Sequence, residues 1–230
     1  MELKKLLFGG IEHETNFISQ CNVAIMESNI IVALDIEDRD TAVKVAREVR
    51  EYVAFFKIGY PLILNYGLNI LDHFSSLGKV IVDLKIADIP EISGGIARRL
   101  TQHKATGVIV HGFVGRDVIR EVKKESNQVY VVAEMSHPGS LDILSGQSNR
   151  IALMAKEEGV EGLVAPATRP ERIKVLKEIS GLKILSPGVG TQGGDARKAV
   201  EYGADYLIVG RSVTMSSDPE QKVKELLAER

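Results

Sequence analysis

Eight times along its 230 residues the chain repeats one phrase: a short β-branched run, a polar or glycine-containing turn, and a segment with apolar residues at helical spacing. The runs are 30–34, 54–58, 80–86, 107–110, 129–133, 162–165, 183–185 and 206–209. Thr41 to Val49 carries helical spacing, and Pro170 opens the segment through Leu176 where a helix start tolerates proline. Continuous apolar strands alternating with helices require a parallel sheet covered on both faces. Eight such units predict an α/β fold closed into a (β/α)8 TIM barrel, a single domain over residues 29–230. An open doubly wound sheet is the alternative, but no Gly-x-Gly-x-x-Gly follows the first run.

Regular alternation begins only at Ile30, so residues 1–28 read as a short N-terminal extension, with Met26 a candidate start of the compact unit. Glu12, His13 and Glu14 interrupt the apolar patch near the N-terminus, which argues against a secretion signal. No apolar run reaches the roughly 18 residues of a membrane span. Lys+Arg of 29 against Asp+Glu of 31 gives a net charge of -2, without the basic excess of a nucleic-acid binder. The single Cys21 suits a reducing cytosol, and no Cys/His metal pattern is present. The chain is expected to be cytoplasmic, with neither a membrane nor a nucleic acid as partner.

Barrel chemistry sits at the C-terminal ends of the strands. In this chain those ends carry Asp35, Lys57, Asp83, Lys85, Asp88, His111, Ser136, Ser186 and Arg211. In Asp83-Leu84-Lys85-Ile86-Ala87-Asp88-Ile89-Pro90, charges stand inside an otherwise apolar run. Residues two apart on a strand share a face, so Asp83 and Lys85 point together, with Asp88 just past the strand end. Lys57 interrupts Phe55-Phe56-Lys57-Ile58 in the same manner. An alternating Lys57, Asp83, Lys85, Asp88 array is expected, each charge near an opposite one. It reads either as a structural ion-pair cluster or as a catalytic one, in which an ammonium donates a proton or forms a Schiff base.

A second constellation is Ser186-Pro187-Gly188-Val189-Gly190-Thr191-Gln192-Gly193-Gly194 after the seventh run, with Gly210-Arg211 after the eighth. Glycines admit an anion to backbone amides, a following helix N-terminus adds favourable dipoles, and Arg211 offers a fork of donors, which predicts a phosphate site. The alternative is a flexible surface loop. In Glu134-Met135-Ser136-His137-Pro138-Gly139, Ser136 could bond a substrate heterocycle while His137 satisfies a turn. His111 reads as a hydrogen-bonded structural histidine. Asp38 and Asp40 are better helix caps than Asp35, which leaves Asp35 for a ligand hydroxyl.

From Leu34-Asp35 to Gly210-Arg211, through Lys57-Ile58-Gly59-Tyr60-Pro61 and Thr168-Arg169-Pro170-Glu171-Arg172, the motifs stand in the order of a known family. The chain resembles the orotidine 5'-monophosphate decarboxylases of archaeal type, from about Ile30 onward. The resemblance implies loss of carbon dioxide from carbon 6 of the orotate ring, with no metal or cofactor. It implies that Lys85 protonates the carbanion and that Asp83 sits near the departing carboxylate. Asp35 and Lys57 would contact ribose hydroxyls and buttress the charge array, Ser136 and Gln192 would address the pyrimidine, and Gln192, Gly210 and Arg211 would hold the phosphate. Ile89, Pro187, Gly190 and Gly193 complete the implied substrate-binding set. Asp88 would enter the neighbouring subunit's site, making a homodimer with shared active sites. Ile92 departs from the pattern, since many relatives carry threonine there. Two rivals remain: a magnesium-dependent sugar-phosphate lyase on the same Asp-x-Lys-x-x-Asp element, and a catalytically silent nucleotide-binding protein.

Overall fold

The computed structural model describes residues 28–229. Eight parallel strands close into a barrel in sequence order. They are β1 (Ile30–Ala33), β2 (Phe55–Gly59), β3 (Val80–Ile86), β4 (Gly107–His111), β5 (Val129–Val132), β6 (Gly162–Val164), β7 (Lys183–Pro187) and β8 (Tyr206–Val209). β8 closes on β1, with Ile31 opposite Ile208. Strand ends differ from the expected ones by one or two residues. β7 runs on to Pro187 because Ser186 and Pro187 still pair with Leu207 and Ile208 of β8.

The helices are α1 (Arg39–Val49), α2 (Tyr60–Tyr66), α3 (Asn69–Ser75), α4 (Pro90–Gln102), α5 (Arg116–Glu125), α6 (Leu144–Glu157), α7 (Pro170–Ser180), α8 (Ala196–Glu201), α9 (Arg211–Thr214) and α10 (Pro219–Ala228). Helix α1 starts two residues before the expected Thr41, because the Asp38 carboxylate accepts from the Thr41 amide at 2.8 Å and so caps it. Helix α7 opens at Pro170 as expected. No described helix is long and apolar enough to cross a membrane. Met26 and most of the expected 1–28 extension lie outside the described residues.

Strand periodicity sorts the core into two layers. Ile30 and Val32 of β1, Phe56 and Ile58 of β2, and Val80 and Val82 of β3 face the helices in the larger cluster. Ile31, Phe55, Ile81, Ile109, Val132, Leu185 and Ile208 form a separate cluster that fills the lumen. The same parity carried two residues onward reaches Asp35 from Ala33, Lys57 from Phe55 and Asp83 from Ile81. The apolar plug is therefore the floor beneath a polar top layer.

Candidate active site

Lys57 is the centre of that top layer. Its Nζ lies 3.1 Å from Asp35 Oδ1 and 3.0 Å from Asp83 Oδ2, and Lys85 Nζ reaches the other Asp83 oxygen at 2.9 Å. The order is Asp35, Lys57, Asp83, Lys85, with signs alternating. Burial alone would pull the Lys57 ammonium down, but the Asp83 and Asp35 carboxylates overrule it and hold its pKa above the ordinary lysine value. Burial would likewise raise the Asp83 carboxyl, yet Lys57 and Lys85 hold it below the usual carboxylate range. Both central charges are buried, Lys57 at 6% and Asp83 at 7% exposure, so removing either partner would strand the other. Gly59 makes the crowding possible: a Cβ there would meet Asp35 Oδ1 at 2.8 Å.

The array differs from the expected one at its fourth member. Asp88 is exposed and its carboxylate accepts from the next amide, that of Ile89, at 2.7 Å. β3 ends at Ile86 and α4 begins at Pro90, so the chain turns away before Asp88 can reach its own lysines. Asp35, expected at the sugar and as a buttress of the array, stands beside Lys57. β3 spans Val80–Ile86 as expected, but its pairing is irregular. The β3–β4 register shifts between Val82 and Ile86, and Lys85 adopts φ +44°, the left-handed region that costs a side-chain-bearing residue about 1–3 kcal/mol.

A cavity of about 320 Å³ opens above the plug, a size suited to a small ligand. Asp35, Lys57, Asp83 and Lys85 line one side. Ser136, Pro187, Gln192, Gly210 and Arg211 line the other, with Ile109, Val132, Val164 and Ile208 as floor. Gln192 and Ser136 converge over Gly188, where a Cβ would lie 3.2 Å from Gln192 Oε1 and 3.6 Å from Ser136 Cβ. Ile89, Gly190 and Gly193 do not line the cavity. Ile89 points outward at 61% exposure.

The glycine segment folds on itself. Gly194 N–H donates to Gly188 O and Gly190 N–H to Gly194 O, each at 3.0 Å. Gly188, Gly190 and Gly193 all take positive φ, and a Cβ on Gly194 would stand 2.6 Å from Gly188 O. Asp195 caps α8 by accepting from Lys198 N–H at 3.0 Å, whereas Gly210, at the start of α9, offers no side-chain cap. Arg211, opening α9 beside the loop, has no ion pair among the described residues. Ser212 Oγ is buried without a hydrogen-bond partner and faces Gly190, whose Cβ would approach it at 3.5 Å.

Two features escaped the sequence reading. Glu134, fully buried, accepts from Arg169 Nε at 2.7 Å and Arg172 Nε at 3.0 Å. Burial would raise its carboxyl, but the hydrogen bonds from Arg172 and Arg169 hold it below the usual range. Arg169 also donates to the Met135 carbonyl, so the pair anchors the loop that carries Ser136. The signal was present: Glu134 follows Val132 at strand parity, and a buried carboxylate needs cations. His111 was expected to be hydrogen-bonded. Instead its Nδ1 is buried with no partner among the described residues, and the ring lies on Phe113 at 4.6 Å between centroids. Burial, then the nearby Lys85 charge, pushes its pKa below the ordinary histidine value.

Residues 28–226 match the model of the orotidine 5'-phosphate decarboxylase / HUMPS family. The chain belongs to this family. Relatives named orotidine 5'-phosphate decarboxylase include that of Methanosarcina mazei, 46% identical over 212 residues, spanning 89% of this chain and 96% of the relative. That of Methanococcoides burtonii is 44% identical over 209 residues, spanning 88% and 97%. Among solved structures, the orotidine 5'-monophosphate decarboxylase of Methanocaldococcus jannaschii complexed with the inhibitor BMP superposes with a TM-score of 0.83 at 40% identity, covering 86% of this chain and 96% of that one. These decarboxylases are matched over nearly their whole length, and the barrel closure described above is theirs as well.

Proposed function

We propose that the chain carries out the reaction for which its family is named, converting orotidine 5'-monophosphate to uridine 5'-monophosphate in pyrimidine biosynthesis, with Lys85 as the proton donor. The difficulty of that reaction is electronic. When the bond from carbon 6 to the carboxylate breaks, the electron pair stays in the ring plane and cannot enter the π system. Stabilisation must come from charge fixed in place beforehand. The observation that carries the reading is the Asp35, Lys57, Asp83, Lys85 chain at the top of an apolar plug. Carbon dioxide departs, the pair remains on carbon 6, and Lys85 Nζ delivers a proton to it. Asp83, donated to by Lys85 at 2.9 and 3.0 Å, holds that ammonium in position.

Asp35 and Lys57 meet the ribose on this reading, Ser136 and Gln192 the pyrimidine, and Arg211 with the amides near Gly210 and the 187–194 loop the phosphate. Phosphate binding is remote from the breaking bond, yet its energy can draw the loop over the ligand and exclude water. The test is loss of orotate-ring absorbance when purified protein meets orotidine 5'-monophosphate, with and without a chelator. Chelator-insensitive turnover is expected. No turnover, together with magnesium-dependent activity on sugar phosphates, would replace the reading with the lyase.

A homodimer completes the site in this reading, with Asp88 and Ile89 reaching the partner's cavity. Support comes from exposed apolar side chains around the β2–β4 rim: Leu64 at 76%, Ile89 and Phe113 at 61%, and Ile92 at 47% exposure. Ile92 would offer the partner's ligand no hydroxyl. Mixing Asp88→Ala with Lys85→Ala protein should recover activity in exchanged dimers, and no recovery despite proven exchange would refute shared sites. The cytosol is the compartment we assign, and residues 29–230 the catalytic unit. Insoluble or inactive protein from a 26–230 chain would remove that division.

A further inference from the structure

The left-handed turn at Lys85 has a support outside the cavity. β2 ends at Gly59, opposite Asp83, so Leu84 has no opposite residue on that side. The β3–β4 register breaks between Val82 and Ile86, so it has none on the other side either. A carbonyl in mid-strand without a ladder partner must find a donor elsewhere. The Leu84 carbonyl accepts from the hydroxyl of Tyr60, the first residue of α2. Tyr60 follows directly on Gly59, where the β2 backbone leaves the sheet, so its side chain continues the pairing that the backbone abandons. The next residue after Leu84 is Lys85, at φ +44°.

We propose that Tyr60 is a positioning residue for the decarboxylation, its hydroxyl pinning the peptide that precedes Lys85 and so holding the ammonium at its place beside Asp83. The inference rests on the reading of Lys85 as proton donor. Tyr60 lies outside the cavity lining and is 50% exposed in the single chain, so its phenol touches no ligand in that cavity. An unpinned Leu84–Lys85 peptide can relax from the left-handed region, which moves Nζ off the line to carbon 6. Displacements on the order of 1 Å cost about 100-fold in rate.

Tyr60→Phe keeps the ring and removes only the donor. It should lower kcat by about 10- to 100-fold while leaving KM and uridine 5'-monophosphate affinity within about threefold, the pattern of an interaction felt in the transition state. Amide hydrogen exchange should quicken at residues 84–86 and nowhere else in the barrel. Wild-type kcat in Tyr60→Phe overturns the proposal. So does a loss of kcat accompanied by faster exchange throughout the barrel, or by none at 84–86. Lys85→Ala run alongside separates the two levels of inference. If it retains turnover, the proton-donor reading has failed; if it is inactive while Tyr60→Phe is normal, only the Tyr60 assignment has.

Discussion

The charged wall on β1–β3 and the glycine loop after β7 face each other across one cavity, and they reach order by opposite means. On the wall, side chains do the holding: four alternating charges on strand ends, none more than 3.1 Å from its partner along the row. In the loop, backbone does it, through Gly188, Gly190 and Gly194 hydrogen-bonded to one another, beside an Arg211 that has no ion pair among the described residues. Fixed charges suit a transition state whose new electron pair cannot delocalise, since they need no reorganisation as the bond breaks. A self-bonded glycine turn suits a group that must be admitted and released. On the proposed reading, chemistry falls to the strands and remote binding to the loop, the division that lets binding energy far from the bond serve turnover.

The sharpest way to break this comparison is Lys85→Ala. It should cost more than about 1,000-fold in kcat, losing both the proton donor and the electrostatic partner of the carbanion, while uridine 5'-monophosphate still binds in calorimetry. Near-normal turnover would leave the wall a structural ion-pair cluster. Next in size is Arg211→Ala, expected to lower kcat/KM for the nucleotide by roughly 100-fold, the scale of a lost charge-assisted contact to phosphate. Orotidine without its phosphate should be turned over equally by wild type and variant. A penalty on that truncated substrate too would mean that Arg211 serves the wall and not the loop.

The smallest expected effect concerns pH. His111 stands at the end of β4 with its pKa below 6.5 in the folded state, through burial and then Lys85. As pH falls below 6.5 the unfolded chain takes up the proton first, so stability should decline until the folded pKa is passed. Asp83 and Glu134 are depressed carboxylates, and their contributions persist above their usual 3.8 and 4.5. They leave the region from pH 5 to 7 to the histidine. Urea midpoints between these limits should slope in wild type and flatten in His111→Asn. Equal slopes would show that the wall is insensitive to this neighbour.

Much of the site could be read before any fold was known, because burying a charge is costly enough to be conspicuous. Lys57 and Asp83 interrupt apolar strands, and strand parity alone put them on the lumen side. The 186–194 glycines and Arg211 were legible for the converse reason, as a small-residue run placed where barrels bind anions. Asp88 does not join these lysines within its own chain, because parity ends where the strand ends and its carboxylate accepts from the Ile89 amide, which is compatible with its proposed place in the partner's site.

The eightfold alternation, hence the closed parallel barrel, and the residue types gathered at its mouth can be read along the chain alone. These follow from periodicity and from burial cost, which are local properties. The closed fold set Lys57 between Asp35 and Asp83. It alone set Glu134 between Arg169 and Arg172, 35 and 38 residues away, and broke β3 so that Lys85 turns left-handed under a hydroxyl from Tyr60. Each of these depends on which strands become neighbours when the barrel closes, and on carbonyls and carboxylates finding donors there. Pairing between distant segments is a three-dimensional demand that no window of sequence can express.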